Sequence, residues 1–457
     1  MFNKILVANR GEIATRVIRA CKEMGIPCVA VYSEADAQSL HIQLADEKIC
    51  IGEAISAKSY LNMDNIIKAA IDTGADAIHP GYGYLSEKKE FAERCQENNI
   101  TFIGPTPENL GLAGDKIAGK NIMEQAGIPT IPSSPGAIDD IEEAKRIAKE
   151  IEYPVMIKSS GGGGGRGIRV CETEEMLVDE FSVAKMEAGA AFGNDAVYLE
   201  KFIVEPRHIE FQVLADQFGN ITHLGERECS IQRRFQKLIE EAPSPRLTPD
   251  LRKKMGDAAI QAAKAINYFN AGTVEFLLDK NDQFYFIEVN SRIQVEHPIT
   301  EMTTGIDLVK EQIRLSAGGR LDYTFDDLTI RGWAIECRIN AEDPARGFLP
   351  SPGTIEEYRV PGGFGVRLDS HIYQGYELPI YYDSLIGKLI SYDLTREGAI
   401  QIMKRALEEF VIQPLKTTIP LYIKIMEEKD FQNGDFNTTY IQRFLPEEGE
   451  DDEEDDI

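Results

Sequence analysis

The chain has 457 residues, which is enough for two or three domains with cores of ordinary size. Its composition, 43% hydrophobic and 27% charged, is that of a soluble globular protein, and no apolar run approaches the ~20 residues that a membrane span requires. The net charge of −27 argues against nucleic acid or an anionic membrane as the main partner. Nine of the ten residues from Glu447 to Asp456 are acidic, and we expect an acidic disordered tail over residues 447–457.

Seven cysteines are scattered along the chain, and none forms a C-x-x-C pair. This pattern predicts buried, reduced thiols in a cytoplasmic protein rather than disulfides or zinc sites. The first residues lead directly into an apolar strand, so we expect no signal peptide.

The first elements are a strand at Lys4–Ala8, a helix at Gly11–Met24 and a strand at Pro27–Tyr32. A β-α-β opening predicts a parallel sheet covered by helices, that is, a Rossmann-like α/β domain. The segment Asn9–Glu12 lies at the carboxyl end of the first strand, where such sheets bind ligands. Because it holds a single glycine, a capping turn is the favoured interpretation.

A second loop, His79–Glu87, carries two glycines and two tyrosines after a predicted strand at Ala75–Ile78. Residue types alone leave two interpretations open, a loop that borders a site and a packed turn. Helices are then predicted at Asn109–Ala126 and Asp139–Glu152.

The most informative stretch is Lys158–Gly167, a glycine flap between strand-like segments at Tyr153–Lys158 and Ile168–Cys171. Glycines let the backbone approach a ligand closely, and N–H groups together with Lys158 and Arg166 suit a polyphosphate. A flexible linker is the alternative, but linkers usually mix glycine with serine and lack flanking strands. A strand follows the glycines and no Lys-Ser/Thr pair does, which excludes a dinucleotide-binding turn and a Walker A loop.

A helix at Glu174–Gly189 and a strand at Ala196–Phe202 complete a small α+β unit with the flap. Its position inside a larger domain suits a mobile lid over a nucleotide.

Two further strand-like segments, Gly272–Leu278 and Phe284–Asn290, flank the turn-forming residues Asp279–Gln283. We expect a hairpin centred between Asn281 and Asp282.

This register places Glu275 directly opposite Glu288, where the two carboxylates repel each other unless a divalent cation lies between them. The period of two along the second strand adds Asn290 and Arg292 to the same face. Glu, Glu and Asn offer hard oxygen ligands, which favour Mg²⁺ or Mn²⁺ over zinc. The alternative is an exposed polar face of a hairpin. The same register pairs Val274 with Val289 and Phe276 with Ile287.

The loop Arg292–Pro298 gathers a cation, an amide, a carboxylate and an imidazole beside the proposed metal. Its Arg is suited to hold a small anion and its Glu to act as a base. The charge-dense segment Glu226–Lys237 has two interpretations, a solvated salt-bridged segment or a source of positive charge near phosphate through Lys237.

From Gly332 the composition changes to short strands and Gly/Pro turns, with helices again at Arg396–Glu409 and Lys416–Glu427. This pattern predicts a third, α+β section. In its first strand, Trp333–Asn340, Arg338 alternates outward from its apolar neighbours and can project into a site.

Taken together, the flap, the carboxylate hairpin and the Arg loop make the chain resemble the biotin carboxylases of the ATP-grasp superfamily, from Lys4 to about Leu445. The matching segments are Ala8–Ala14, His79–Glu87, the glycine flap, Phe286–Pro298 and Glu336–Pro344. The resemblance implies an α/β N-terminal domain over residues 1–114, an α+β ATP-grasp domain over 115–330 with a mobile lid at about 131–203, and an α+β C-terminal domain over 331–446.

The resemblance also implies roles for individual residues. ATP binding falls to Lys116, Lys158, the flap residues Gly163, Gly164, Gly165 and Arg166, the hinge residues Glu200, Lys201, Phe202 and Ile203, and to His208 and Gln232. The metal ligands are Glu275, Glu288 and Asn290, and the bicarbonate seat is Lys237, Arg292, Gln294 and Val295. Glu296 is the base for bicarbonate, and Arg338 stabilises the biotin enolate. One position departs from the family, because Phe235 cannot form the nucleotide hydrogen bond that a His or Asn makes there.

The reaction that the resemblance implies is ATP-dependent carboxylation of biotin by way of carboxyphosphate. The cofactors are ATP, Mg²⁺ or Mn²⁺, and biotin on a carrier protein supplied in trans. Since the sequence holds no Ala-Met-Lys-Met hairpin, a separate carrier and a carboxyltransferase subunit are the expected partners, and a homodimer is expected by resemblance. Two alternatives stay open, another ATP-grasp ligase that joins an acyl phosphate to an amine and a non-catalytic nucleotide-binding subunit.

Overall fold

A computed structural model describes residues 1–159, 168–192 and 196–445. The first section, up to residue 102, is a five-stranded sheet with helices between its strands. Its elements are β1 (Ile5–Val7), α1 (Gly11–Glu23), β2 (Cys28–Ser33), α2 (Leu40–Leu44), β3 (Glu47–Gly52), α3 (Met63–Thr73), β4 (Ala77–His79), α4 (Lys89–Glu97) and β5 (Thr101–Phe102).

All pairings in this sheet are parallel, and the strand order is β3-β2-β1-β4-β5. The residues of β1 are fully buried, as expected for a parallel strand covered by helices on both faces. The predicted Rossmann-like parallel sheet is therefore confirmed. The chain order reverses between β1 and β4, so the loops that follow these two strands lie where parallel sheets bind ligands.

The middle section contains most of the second sheet and a smaller unit of its own. Its elements are α5 (Pro107–Gly114), α6 (Lys116–Gln125), α7 (Ile141–Ile151), β6 (Val155–Ser159), β7 (Ile168–Cys171), α8 (Glu174–Phe192), β8 (Val197–Lys201), β9 (Arg207–Ala215), β10 (Ile221–Arg233), β11 (Gln236–Ala242), α9 (Pro249–Ala265), β12 (Asn270–Leu278), β13 (Phe284–Asn290), α10 (His297–Thr304) and α11 (Leu308–Ser316).

The predicted helix at Asn109–Ala126 is two helices, α5 and α6, with the break at Asp115. The physical reason is a new helix start, because the Asp115 carboxylate accepts the backbone N–H of Ala118 at 2.9 Å. The predicted α+β unit around the flap is confirmed as a three-stranded antiparallel sheet, β7-β6-β8, with α7 and α8 packed in a core of its own.

The last section adds three strands to the second sheet and ends in helices. Its elements are β14 (Trp333–Asn340), β15 (Glu342–Asp343), β16 (Leu349–Pro350), β17 (Gly353–Thr354), β18 (Glu357–Arg359), β19 (Val366–Ser370), β20 (Glu377–Leu378), β21 (Leu385–Asp393), α12 (Arg396–Glu409), β22 (Val411–Gln413), α13 (Ile419–Glu427) and α14 (Lys429–Asn433).

One eight-stranded sheet, β13-β12-β9-β10-β11-β14-β21-β19, runs through the middle and last sections. The predicted domain boundary between residues 330 and 331 falls just before β14. This strand pairs in antiparallel fashion with β11, which belongs to the other side of the boundary, and Glu240 lies opposite Glu336. Because the sheet continues across this boundary, side chains from both sections share one face. That boundary stays a prediction, as do the other domain limits.

The interpretation of the charge-dense segment Glu226–Lys237 as a solvated, salt-bridged segment is wrong. It forms most of β10 and the start of β11 in the middle of the large sheet, and Glu226, Arg227 and Glu228 are all buried. Charge density misled the interpretation because these side chains are paired with other charges inside the protein rather than with water.

Among the described residues, no helix is both long enough and apolar enough to span a membrane.

Candidate active site

The centre of the site is the ammonium group of Lys237 on β11, which lies among three buried carboxylates. Its Nζ donates to Glu210 Oε2 on β9 at 2.6 Å, to Glu275 Oε1 on β12 at 3.0 Å and to Glu296 Oε1, just before α10, at 2.6 Å. The Lys237 side chain is 11% exposed, so the group touches solvent at one side only. Three elements distant in sequence thus meet at one cation.

Burial and charge act in opposite directions on these groups. Burial alone would raise the pKa of Glu275, but Lys237 and His208 hold that pKa well below its usual range. Burial likewise opposes ionisation of Glu296, and Lys237, Arg338 and Arg227 together lower its pKa far below the usual value. Burial would lower the pKa of Lys237, yet its carboxylate neighbours raise it well above the ordinary value. All three side chains are therefore charged at neutral pH.

Glu296 connects this cluster to the last section of the chain. Its Oε2 accepts from Arg338 Nη2 at 2.9 Å, while Arg338 Nε donates to Glu240 Oε1 at 2.6 Å. The outward alternation predicted for Arg338 in β14 is confirmed by these contacts. Glu296 is an ionised carboxylate between two cations, an arrangement that can accept a proton from an anion held by those cations.

The Arg292 loop lies beside this cluster. Arg292 Nε lies 3.2 Å from Glu87 Oε1, and its Nη2 donates to Asn290 Oδ1 at 3.1 Å. Gln294 Nε2 donates to Glu275 Oε1 at 2.9 Å. Of the two interpretations of the loop His79–Glu87, the contact between Glu87 and Arg292 supports a loop that borders the site.

The backbone next to Val295 is braced from two other sections. Lys388 on β21 is fully buried, and its Nζ donates to the Val295 carbonyl at 2.8 Å and lies 3.2 Å from Glu12 Oε1. Glu12 also accepts from the hydroxyl of Tyr82. The capping-turn interpretation of Asn9–Glu12 is wrong, since no side chain caps α1 there. The residues instead join the N-terminal loops to the site.

The hairpin that carries the predicted carboxylate ligands has the predicted register on the side of Glu275 away from the turn. Glu275 faces Glu288 across β12 and β13, and Val274 faces Val289. The predicted pairing of Phe276 with Ile287 is wrong. A bulge next to Glu275 shifts the register, so Phe276 pairs with Phe286. Leu278 pairs with Phe284, and the turn is therefore centred on Asn281. The bulge places the Phe286 ring in the core against Phe276, with ring centroids 6.3 Å apart, and this apolar burial outweighs the regular ladder.

Charged side chains follow one another across four strands of the large sheet. Arg227 on β10 lies opposite Glu210, Glu210 opposite Glu275, and Glu275 opposite Glu288. The Arg227 side chain is fully buried and donates to Glu210 Oε1 and to the side-chain oxygen of Gln294. This row carries two of the three predicted metal ligands, Glu275 and Glu288, at one end and a fixed positive charge at the other.

The predicted metal ligands suit a hard cation by chemistry. Glu275, Glu288 and Asn290 offer carboxylate and amide oxygens from two adjacent strands, the donors that Mg²⁺ and Mn²⁺ prefer. The predicted repulsion between the facing carboxylates is already reduced at Glu275, whose Oε1 accepts from Lys237 and Gln294 and whose Oε2 lies 3.1 Å from His208 Nε2. This ligand set stays a prediction.

Predicted nucleotide residues gather where the small unit joins the large sheet. Lys158 and Glu200 form an ion pair across β6 and β8. Lys201 Nζ donates to the carbonyls of Glu152 and Tyr153 at 3.0 and 3.2 Å.

The rest of the predicted hinge continues this junction. The Phe202 N–H donates to the Pro154 carbonyl at 3.0 Å, and Ile203 is buried. Gln232 pairs with Lys237 across β10 and β11, which brings it to the central cluster. Gly163, Gly164, Gly165 and Arg166, and the side chain of Lys116, lie outside the described residues.

Sequence reasoning missed five charged residues that the structure places at the site. Glu210, Glu336 and Lys388 were missed because single charges in strand-like segments look like solvent-facing positions. Arg227 and Glu240 were missed because each has a charged neighbour in sequence, which is typical of a solvated segment. For Glu336, the one available signal was its position two residues before Arg338 on the same strand, which places both side chains on one face. The missed residues are Glu210, Arg227, Glu240, Glu336 and Lys388.

Three family models match the chain in order. Residues 1–110 match the biotin carboxylase N-terminal domain, residues 115–324 match the ATP-binding domain of the carbamoyl-phosphate synthase L chain, and residues 336–443 match the biotin carboxylase C-terminal domain.

Known proteins are similar over nearly the whole length. The biotin carboxylase of Nostoc sp. is 59% identical over 441 residues, which cover 96% of this chain and 99% of that protein. The 2-oxoglutarate carboxylase small subunit of Hydrogenobacter thermophilus is 56% identical, covering 97% of this chain and 93% of that protein. A crystal structure of the biotin carboxylase domain dimer of the H. thermophilus 2-oxoglutarate carboxylase, with MgADP, ADP and bicarbonate, superposes with a TM-score of 0.89 at 55% identity, covering 97% of this chain and 98% of that one.

Proposed function

This chain belongs to the biotin carboxylase family, and we propose that it carboxylates the biotin of a separate carrier protein with bicarbonate and ATP, as the first half-reaction of a biotin-dependent carboxylase. The observation that carries the proposal most directly is Glu296 between Lys237 and Arg338. A carboxylate in contact with one cation suited to a small anion and with another suited to a developing enolate supports this reaction.

We assign the bicarbonate seat to Lys237, Arg292, Gln294 and the backbone at Val295. Lys237 and Gln294 both donate to Glu275 Oε1, Arg292 lies two residues before Gln294 in the same loop, and the Lys388 contact fixes the Val295 carbonyl. Convergence of donors on one small volume is what binding of a three-oxygen anion requires.

In the proposed reaction, Glu296 takes the proton of bicarbonate, and a bicarbonate oxygen attacks the γ-phosphorus of ATP while the bond to ADP breaks. The carboxyphosphate formed collapses to carbon dioxide and phosphate inside a site that excludes water. The released phosphate takes the proton of the biotin ureido nitrogen, and the resulting enolate beside Arg338 bonds through that nitrogen to the carbon dioxide. The chain contributes positioning and charge neutralisation in each step.

Glu296 is a weak base while Lys237 and Arg338 both lower its pKa. An incoming bicarbonate competes with Glu296 for the Lys237 ammonium, and loss of that contact raises the pKa of Glu296. Substrate binding and activation of the base are therefore coupled through one lysine.

We assign the ATP phosphates to Lys116, Lys158 and the flap Gly163–Arg166, and the adenine end to the hinge Glu200–Ile203, with His208 and Gln232 near the ribose and phosphates. The ion pair of Lys158 with Glu200 and the hinge hydrogen bonds support this assignment. Glu275, Glu288 and Asn290 would hold Mg²⁺ or Mn²⁺, which supplies positive charge against the ATP phosphates.

The proposed partners are a biotin carrier protein and a carboxyltransferase subunit, and the proposed assembly is a homodimer, as in the H. thermophilus crystal structure. We also propose a cytoplasmic location, which the seven free cysteines support.

The test is ATP hydrolysis by the purified chain with free biotin as acceptor. We expect turnover that depends on bicarbonate and rises when biotin is added. An ATP-grasp ligase of the other kind would require an amino compound instead, and such a requirement would overturn the proposal. Binding of Mg-ATP with no turnover under any of these conditions would also overturn it, in favour of a non-catalytic nucleotide-binding subunit.

A further inference from the structure

Two buried carboxyl groups face each other beside Arg338. Glu240 on β11 and Glu336 on β14 are directly opposite in the antiparallel ladder, and both are fully buried. Directly opposed residues have β-carbons about 4.5–5.5 Å apart, so two ionised carboxylates there repel each other strongly in a medium that water does not screen.

The hydrogen bonds of the two groups are unequal. Glu240 Oε1 accepts from Arg338 Nε at 2.6 Å. Among the described residues, no donor reaches Glu240 Oε2 or either oxygen of Glu336. A buried carboxylate without a donor carries the full cost of desolvation, and one added proton supplies the missing donor.

The surrounding charges decide which of the two groups takes that proton. Glu240 touches a guanidinium directly, whereas the nearest cations to Glu336 act through space. Burial raises the pKa of Glu336 well above its ordinary value, and burial raises that of Glu240 to about 7. Among the described residues, the charged and titratable groups that face the pair are Arg338 and Cys337 on β14, Lys388 on β21, Lys237 on β11, Cys229 on β10, Glu296 before α10, Tyr82 in the loop after β4 and Tyr422 on α13.

We propose that Glu336 is a neutral carboxylic acid at neutral pH, that it donates its proton to Glu240, and that this pair positions the Arg338 guanidinium and sets the charge around it. Glu240 is then an ionised acceptor with both oxygens satisfied, one by Arg338 and one by Glu336. Glu336 acts through Glu240 and Arg338 and is a positioning residue.

The consequence for catalysis rests on the proposed function. The single positive charge of Arg338 is already shared between Glu240 and Glu296. A third carboxylate charge nearby would therefore reduce the capacity of Arg338 to stabilise a biotin enolate. Retention of the Glu336 proton keeps that capacity. As pH rises and Glu336 ionises, the biotin-dependent step is weakened, whereas bicarbonate-dependent ATP hydrolysis without biotin is affected less.

The direct test is infrared difference spectroscopy of the full chain, because a protonated carboxyl has a carbonyl-stretch band that ionised carboxylates lack. We expect this band near neutral pH in the wild type and a loss of intensity equal to one carboxyl group in Glu336→Gln, in which the amide can still donate to Glu240. Glu12 and Glu228, whose pKa values burial also raises, contribute equally to the band of both proteins. Near-ultraviolet circular dichroism checks that the variant is folded.

Glu241→Gln is the matched control. Glu241 is the next residue on β11 and is also buried, but its carboxylate is paired with Arg396 Nε at 2.7 Å and accepts from Trp333 Nε1 at 2.6 Å. The Glu241→Gln substitution should leave the carboxylic-acid band in place. A wild type without the band near neutral pH, or a band of undiminished intensity in Glu336→Gln, would overturn the shared-proton pair.

The pH profile of the biotin-dependent rate is the second readout. We expect an alkaline decline in the wild type that moves to higher pH, or disappears, in Glu336→Gln, and an unmoved decline would count against the proposal. A wild-type chain without any biotin-dependent turnover would refute the proposed function, while the infrared band would still decide whether Glu336 holds a proton.

Discussion

Replacement of Lys237 by Met removes the one ammonium group that contacts three buried carboxylates. Met keeps the length and much of the volume of the lysine chain, so the change is chiefly one of charge. The variant leaves Glu210, Glu275 and Glu296 close together, with Arg227, His208 and Arg338 as their remaining partners.

The magnitude follows from the burial of these contacts. Removal of one partner from a buried ion pair costs about 3–5 kcal/mol, since the other charge is left without compensation. Lys237 donates to its three carboxylates at 2.6, 3.0 and 2.6 Å, so we expect a cost at the upper end of that range at neutral pH.

The pH dependence has a definite sign. Glu275 and Glu296 have lowered pKa values in the folded wild type, so they contribute stability above their unfolded pKa of about 4.3, and that stability is lost as pH falls through the folded values. In the Lys237→Met variant both pKa values rise. The difference in free energy of unfolding between wild type and variant should therefore shrink as pH falls from about 7 toward 5.

The assay combines urea unfolding at several pH values with steady-state ATP hydrolysis. We expect the bicarbonate-dependent rate to fall by about 10²-fold or more, and its acidic limb to move to higher pH as Glu296 becomes protonated. Lys253→Met is the control, because Lys253 forms an exposed pair with Asp257 and should change neither property appreciably. A Lys237→Met variant with wild-type stability at neutral pH and an unmoved acidic limb would refute the assigned charge network.

Three further predictions concern the other assigned groups. Arg338→Ala should reduce biotin carboxylation more than bicarbonate-dependent ATP hydrolysis, and equal loss of both rates would exclude its role at the enolate. Glu288→Gln should raise the Mg²⁺ concentration needed for half-maximal activity roughly tenfold or more, because a ligand charge is lost; an unchanged Mg²⁺ dependence would remove Glu288 from the ligand set. Lys388→Met should raise the KM for bicarbonate about 10- to 100-fold, since a charged hydrogen bond to the Val295 carbonyl is worth about 1.5–3 kcal/mol, and leave ADP affinity measured by calorimetry unchanged. An unchanged KM for bicarbonate together with weaker ADP binding would contradict the assigned role of the Lys388 contact with Val295.

Local patterns in the sequence were sufficient for the elements with strong periodicity. The parallel sheet followed from an apolar β-α-β opening, and α12 has the predicted bounds, Arg396–Glu409. The facing of Glu275 and Glu288 followed from a turn of five residues between two strands. The bulge that pairs Phe276 with Phe286 did not follow from a local pattern, because it depends on which aromatic ring fits the core beneath β13.

Strands β9 to β11 are the largest element that the sequence did not predict. Strand β9 does show the alternation of apolar and polar residues that normally reveals a strand, from Ile209 to Val213, but the sequence does not show that its polar side chains face other strands rather than solvent. In β10 and β11 adjacent charges interrupt the alternation. Arg227, fully buried with partners on β9, β12 and α10, illustrates the difficulty. Its environment is created by segments as far away as residue 300, so no local window contains the information. The roles of Lys237 and Arg338 came from family resemblance for the same reason.

The central claim is that bicarbonate attacks the γ-phosphoryl group of ATP and passes through carboxyphosphate. Its most direct test is turnover with bicarbonate labelled with heavy oxygen, followed by mass spectrometry of the released phosphate. We predict one labelled oxygen in each phosphate, because the bridging oxygen of carboxyphosphate comes from bicarbonate and remains on phosphorus when carbon dioxide leaves. Phosphate that carries no label, or whose label matches that of the solvent water, would contradict the account.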